Sequence, residues 1–332
     1  NITIKRSEIR GVLSEGMICS LEELGLDNTS EGIAIINEDV VSKHKLGTSG
    51  ALLLDLNDYI YDLAITANRP DGMSVVGIAR EISALLETKL TFPGLKNRYK
   101  INFCKEFDLC PEAITDNCLY SISYIDSVNG KESSPQWLKD RLYKSGIKSI
   151  NLLVDITNYI LLEQGQPLHA FDKDKLTKIV GKEVFPKDFT VRKAKKNETL
   201  LCLNGENYKL NENITIIACC DIPVAIAGVI GGLDSAVTEE TSSIYLEAAV
   251  FNPKIVRKSS KEIGIRTESS SRFEKGISYK NTLDAVTRAI NLLEDHFEIK
   301  NPKINSSLKL SNEELFIKLR RNRIHKILGP IV

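Results

Sequence analysis

The stretch Asp155-Ile-Thr-Asn-Tyr-Ile-Leu-Leu-Glu-Gln-Gly-Gln-Pro-Leu-His-Ala-Phe-Asp172 decides how the rest of the chain is read. Ile156 and Ile160 fall one turn apart with Tyr159 beside them, so the stretch begins as a helix. Gly165 stops that helix and Pro167 prevents it from resuming. Asp155, Thr157 and Asn158 are poor helix formers crowded into an apolar turn, and such side chains are often kept for their hydrogen bonds. Past the stop, Gln166-Pro-Leu-His169 sets an imidazole on a stiffened loop. Together these residues read as one wall of a polar pocket in a mostly hydrophobic domain.

Working outward, Ser134-Pro-Gln-Trp-Leu-Lys-Asp-Arg-Leu-Tyr-Lys-Ser-Gly146 reads as a helix with Ser134 as N-cap and Pro135 at its first position. Residues 199–210 form a hairpin in which Asn204-Gly205 supplies the two positive φ angles of a type I′ turn. Strands follow at 214–218 and 224–227, then Gly228-Val-Ile-Gly231-Gly232 and a buried strand over 244–251. Helices run over 253–263 and from about Thr282 to Phe297, the second with Leu283, Val286, Ile290 and Leu293 in register. Mixed and antiparallel strands flanked by helices make a multi-domain α+β protein.

The outer parts are shorter on signal. Ile2-Thr-Ile-Lys alternates like a strand, and the chain begins there as though cut from a longer protein. Residues 60–66 predict a strand, followed by the turn Ala67-Asn-Arg-Pro-Asp-Gly72 and a helix from Ser74; Arg69 in that turn reads as a capping or salt-bridging residue. From Leu315 a strand and then a basic helix lead to Gly329-Pro330. At 332 residues the chain exceeds one ordinary core. No signal peptide and no membrane-length apolar run is present. The seven cysteines, odd in number and without zinc spacing, read as reduced thiols in a cytosolic-type compartment. Net charge is zero, with 44 Lys plus Arg against 44 Asp plus Glu, yet basic residues outnumber acidic ones from Phe251 onward. That asymmetry fits an anionic partner on one side, or simply a solvated face.

Among chemistry-bearing residues, Glu247 is the sharpest. A carboxylate between Leu246 and Ala248 in an apolar strand by default faces out with the pleat; buried, it would suit recognition of a hydroxyl or ammonium group. Gly228, Gly231 and Gly232 permit close backbone approach, but their spacing is wrong for a dinucleotide fingerprint and no Walker lysine follows. His169 reads as either a structural hydrogen-bonder or a catalytic group. Serine-hydrolase and zinc-protease motifs are missing. Lys254, Arg257, Lys258 and Lys261 share one helix face, a stripe that can track phosphates or merely be solvated.

Taken in order, Arg10-Gly-Val-Leu-Ser-Glu-Gly-Met-Ile-Cys-Ser20, Ile65-Thr-Ala-Asn-Arg-Pro-Asp71, Val154-Asp-Ile-Thr-Asn-Tyr159, Gly165-Gln-Pro-Leu-His-Ala-Phe-Asp172, Gly228-Val-Ile-Gly-Gly232 and Arg266-Thr-Glu-Ser-Ser-Ser-Arg-Phe-Glu-Lys-Gly276 resemble the β subunit of bacterial-type phenylalanyl-tRNA synthetase. The resemblance runs nearly end to end. It implies four parts: 1–45 closing a tRNA-binding OB-type domain, 46–116 a B1-like connecting domain, 117–300 the B3/B4 editing module and 301–332 the opening of B5. It implies a cytoplasmic (or organellar) α2β2 enzyme that joins Phe to tRNA(Phe) with ATP and Mg²⁺, the aminoacylation site lying on the α subunit. This chain carries no ATP-site motif, so no cofactor and no metal is expected within it.

The resemblance also implies an editing pocket that hydrolyses Tyr wrongly esterified to tRNA(Phe). By motif position its residues fall on Lys148, Thr157, Asn158, Pro167, His169, Gly231, Glu247, Thr267 and Ser269. Lys148 stands where Arg is frequent and loses the bidentate fork; Ser269 stands where Ala is frequent and adds a hydroxyl. Phe and Tyr differ by one hydroxyl, and a site built to bond it rejects the analogue lacking it by roughly 10⁴-fold or more. Glu247 is the candidate for that contact, with His169 and Asn158 orienting the water or the terminal ribose. The alternative is a scaffold and tRNA-docking subunit with an inactive pocket.

Overall fold

In a computed structural model of the chain, residues 4–26, 32–36, 38–115, 118–307, 316 and 318–330 are described. The predicted strand at Ile2 and the one opening at Leu315 lie wholly or partly outside those residues. The chain divides into two compact units, residues 1–63 and 64–332. The first holds a hairpin of β1 (Ser7–Ile9) and β2 (Val12–Ser14), then the short helices α1 (Glu38–Val41) and α2 (Gly50–Leu53). Arg10 and Gly11 both take positive φ, the pairing a tight hairpin turn requires.

The second unit opens with a 3₁₀ turn at Pro70–Met73 and α3 (Val75–Leu85), whose N-cap Ser74 accepts from the Gly77 N–H at 3.0 Å. Arg69 bridges Asp71 and Glu81 at 2.8 and 2.7 Å, so the salt-bridging reading of that turn is what the fold uses. Residues 60–66 have no ladder partner among the described residues, and Ile60 and Tyr61 stand exposed. An apolar run without a neighbour to pair its backbone does not become a strand.

The body follows as β3 (Ile101–Phe103), β4 (Asp108–Leu109), β5 (Leu119–Ile125), α4 (Gln136–Lys144), α5 (Leu152–Gln164), β6 (Leu168–Asp172) and α6 (Lys173–Val180). Next come β7 (Phe189–Lys193), β8 (Thr199–Leu201), β9 (Asn207–Lys209), β10 (Thr215–Cys219), β11 (Ile222–Ile226), β12 (Ile230–Gly231) and β13 (Ile244–Val250). It ends with α7 (Pro253–Ile263), α8 (Glu268–Phe273), α9 (Tyr279–Leu293), β14 (Lys303–Ser306) and α10 (Arg321–Leu328). The α+β class stands, with two five-stranded sheets ordered β3-β14-β5-β13-β6 and β12-β11-β10-β7-β4. Both are mixed, since β3 runs parallel to β14 and β4 parallel to β7.

The first sheet has two buried faces. One packs on the second sheet through Phe171, Phe189 and Tyr245, with ring centroids 5.6 Å apart for Phe171–Phe189 and 5.3 Å for Phe189–Tyr245. The other is covered by α4, α5 and α9, with Ile156, Ile160, Leu246, Val286 and Ile290 in one cluster. Because strand side chains alternate, residues 244, 246 and 248 meet the helices while 245, 247 and 249 enter the sandwich.

Two local readings need correction. The N-cap of α4 is Pro135 rather than Ser134, because the Ser134 hydroxyl is engaged by Asp155 at 2.6 Å. In the β8–β9 hairpin only Gly205 takes positive φ, and the strands end at Leu201 and Asn207. The longer loop lets Asn204 stay right-handed, so the turn is not type I′.

Candidate functional site

α5 is capped by Asn151, whose side chain accepts from Val154 N–H at 3.0 Å, and ends at Gly165 in the left-handed region at φ 74°. Gln166 then fixes the crossing into the sheet. Its amide donates to the carbonyls of Pro167 and Ala249, each at 3.0 Å, and accepts from Thr282 Oγ1 at 2.8 Å. With α9, β13 and buried Pro167 locked together, the next residues join the sheet as β6. His169 therefore sits on a strand, not on a loop.

β6 is the edge strand beside β13, and in that ladder His169 is the direct partner of Glu247. Directly opposed residues in an antiparallel pair project from the same face. Both thus enter the space between the sheets, which settles the facing of Glu247: it is 7% exposed, against the outward default. Gly231 on β12 closes the arrangement from the other sheet. A Cβ there would lie 2.3 Å from His169 Cε1 and 2.6 Å from Nε2, so only glycine lets the imidazole occupy its place. The ring also stands edge-on to Phe171, with centroids 4.5 Å apart.

Among the described residues, three buried polar atoms on this face have no hydrogen-bond partner: Glu247 Oε1, His169 Nε2 and Tyr120 Oη. Each such atom costs about 1–3 kcal/mol, and buried polar groups are otherwise paired. Burial alone pushes the Glu247 carboxyl up to about 8 and the His169 imidazole down to about 4. Both are mostly neutral at pH 7: one is a carboxylic acid able to donate and accept, the other an imidazole with one lone pair and one N–H.

A family model described as B3/4 domain matches residues 116–298. The chain belongs to the B3/4 domain family. Over its whole length it is 78% identical to the phenylalanine--tRNA ligase beta subunit of Prochlorococcus marinus subsp. pastoris, covering 40% of that protein. It is 70% identical to the beta subunit of Prochlorococcus marinus strain MIT 9312, covering 41%, and 44% identical to that of Synechococcus sp. strain CC9902, covering 40%. The chain thus spans about two fifths of the relatives it matches. The resemblance read from its motifs extends over the whole length of the chain.

Within this B3/4 body, not every motif residue meets the pair. Thr157 is buried on α5 and its hydroxyl donates to Val154 O at 2.7 Å; Asn158 is half-buried, its side chain without a hydrogen bond among the described residues. Neither bonds to His169 or Glu247. Asp155, read with them as pocket wall, is instead a structural clamp: its carboxylate accepts from Ser134 Oγ, Ser149 Oγ and Ile150 N–H at 2.6, 2.5 and 2.8 Å. Thr267 caps α8 and donates to Val229 O at 2.8 Å, tying that helix to the turn that delivers Gly231. Ser269 is half-buried in α8 and its hydroxyl makes no hydrogen bond among the described residues. Lys148, Lys254, Arg257, Lys258 and Lys261 are exposed, the last four opposite the buried side of α7 formed by Val256, Ser259 and Ser260.

Tyr120 was missed by sequence reasoning. In Leu119-Tyr-Ser-Ile-Ser-Tyr-Ile125 it is one aromatic of an ordinary alternating strand, and only pairing with β13 brings it beside Glu247. A cavity of about 250 Å³ lined by Leu200, Pro223, Val224, Gly232 and Ser235 lies elsewhere and includes neither Glu247 nor His169. The orphaned polar atoms carry more chemical information than that hollow.

Proposed function

We propose that the protein containing this chain is the β subunit of a phenylalanine–tRNA ligase, and that this body removes Tyr wrongly esterified to tRNA(Phe). The observation that carries the reading is the His169–Glu247 ladder pair, with a bare nitrogen and a bare oxygen in one dry layer against Gly231. Glu247 reads the phenol: its unpaired oxygen accepts the substrate hydroxyl proton, and a Phe side chain leaves that oxygen unsatisfied. The reaction is attack of water oxygen on the ester carbonyl, with the C–O bond to the ribose breaking and the ribose oxygen taking a proton. An imidazole held near 4 is too weak a base to store that proton at neutral pH, so His169 orients water or ribose by hydrogen bonding. Pro167, Thr267 and Ser269 shape the surrounding wall, while Thr157 and Asn158 on α5 belong to the helix side of the sheet; Lys148 with the α7 stripe meets phosphates.

The whole subunit would work with an α subunit and tRNA(Phe), as an α2β2 assembly using ATP and Mg²⁺ for aminoacylation. Among the described residues, none forms a fitting site for that cofactor pair. No cluster of three or more His, Cys, Asp or Glu able to hold a metal occurs among the described residues, and the glycine turn lacks a phosphate-binding lysine. No helix among the described residues is long and apolar enough to cross a membrane.

Deacylation of Tyr-tRNA(Phe) by the full enzyme tests the reading. His169→Ala with Glu247→Ala should slow it by about 100-fold or more. If the double variant clears Tyr-tRNA as fast as wild type, the region is a docking scaffold.

A further inference from the structure

Tyr120 lies on β5, two residues before Ile122, which neighbours Glu247 in the ladder; it therefore shares that face and stands diagonal to the carboxyl. Its ring is held in place, fully buried and edge-on to Phe107 with centroids 5.5 Å apart. Its hydroxyl nevertheless has no partner among the described residues. Tyr245, on the same face two residues before Glu247, shows the ordinary structural solution: its hydroxyl donates to Val184 O at 2.5 Å. Burial, Glu247 and Cys219 all keep the proton on Tyr120, so its hydroxyl is a standing donor across the physiological range.

We propose that Tyr120 is a specificity-determining residue of the editing site: its hydroxyl donates to the oxygen of the substrate phenol while that phenol donates to Glu247. The inference rests on the editing reading above and deepens it. A single acceptor reads only a proton, so any para substituent bearing one satisfies it. Adding a donor on the other side makes the site read the lone pair as well. An aromatic amine carries the proton, but its lone pair is delocalised into the ring and accepts poorly. Two-sided recognition therefore separates a phenol both from a bare ring and from an aniline.

The test uses the full enzyme, Tyr120→Phe, and two esters, Tyr-tRNA(Phe) and 4-aminophenylalanyl-tRNA(Phe). The substitution removes one oxygen and keeps the ring, so a melt should match or exceed wild type. KM for Tyr-tRNA should rise about tenfold with kcat nearly unchanged, the effect of one lost hydrogen bond. Hydrolysis of the amino ester should not change, since it never gained that bond. Equal slowing of both esters would make Tyr120 structural and overturn the proposal, as would no effect on either. Glu247→Ala and His169→Ala, run alongside, separate the two levels. If they abolish Tyr-tRNA hydrolysis while Tyr120→Phe is silent, only Tyr120 loses its role. If they too are silent, the editing reading and this inference fall together.

Discussion

The two faces of the β3-β14-β5-β13-β6 sheet treat buried polar groups in opposite ways. On the helix side, Asp155 has three donors, and Glu163 accepts from Tyr159 Oη at 2.9 Å and from Arg288 at 3.2 Å. The exception there among the described residues is the Ser123 hydroxyl. On the sandwich side, Tyr120, His169 and Glu247 each leave an atom bare within one small area. One sheet thus separates polar groups whose hydrogen bonds hold the fold from polar groups left with an unpaired atom, which the proposed editing reading assigns to a ligand. Completeness of pairing, rather than burial or charge, tells the two apart.

The largest expected effect is on the paired face. Asp155→Ala strands two hydroxyls and a backbone N–H, and should cost about 4 kcal/mol in denaturant unfolding. A loss under about 1 kcal/mol would erase the contrast between the faces. Next comes Gly231→Ala, which forces the His169 ring to move and should slow Tyr-tRNA deacylation by about 100-fold. An unchanged rate would show that the imidazole position does not matter to the reaction.

Third is the pH dependence of stability. Glu247 keeps its proton up to about 8 when folded and releases it near 4.5 when unfolded, so its contribution is full below 4.5 and falls as pH rises toward 8. His169, at about 4 folded against 6.5 unfolded, contributes fully above 6.5 and loses that as pH falls toward 4. Between 4.5 and 6.5 the two slopes oppose and cancel. From 6.5 to 8 the glutamate acts alone and removes about 2 kcal/mol. Melts of the full enzyme at pH 6.5 and 8 should show this fall in wild type and not in Glu247→Gln. The smallest effect lies outside both faces. Removing Arg257 or Lys261 singly should weaken tRNA binding a few-fold and lower the salt slope by about one, without touching deacylation of bound substrate.

Local punctuation made much of the body legible in sequence. Pro253 and Gly264 bound α7 at the limits read from the residues, Ser74 caps α3, and Gly165 stops α5. What failed depended on partners distant in the chain. Alternation places Glu247 opposite Leu246 and Ala248, but both faces of this sheet are covered, so periodicity could not say that the carboxyl is buried. His169 became a strand residue because β13 was there to pair it, and residues 60–66 stayed unpaired because nothing was. Asp155 looked like pocket lining because its three donors sit on segments before the helix, where no local signal ties them to it. Tyr120 gave no warning for the same reason.

The parallel pairing of β3 with β14, and the antiparallel pairing of β14 with β5, have a practical consequence. A piece cut at the limits of the family match, 116–298, would discard both outer strands. β5, seven residues long with six of them buried, would become a raw rim whose backbone N–H and C=O groups invite another copy to dock. Anyone isolating this body should carry the chain from before Ile101 to beyond Ser306, or expect sticky, self-associating material.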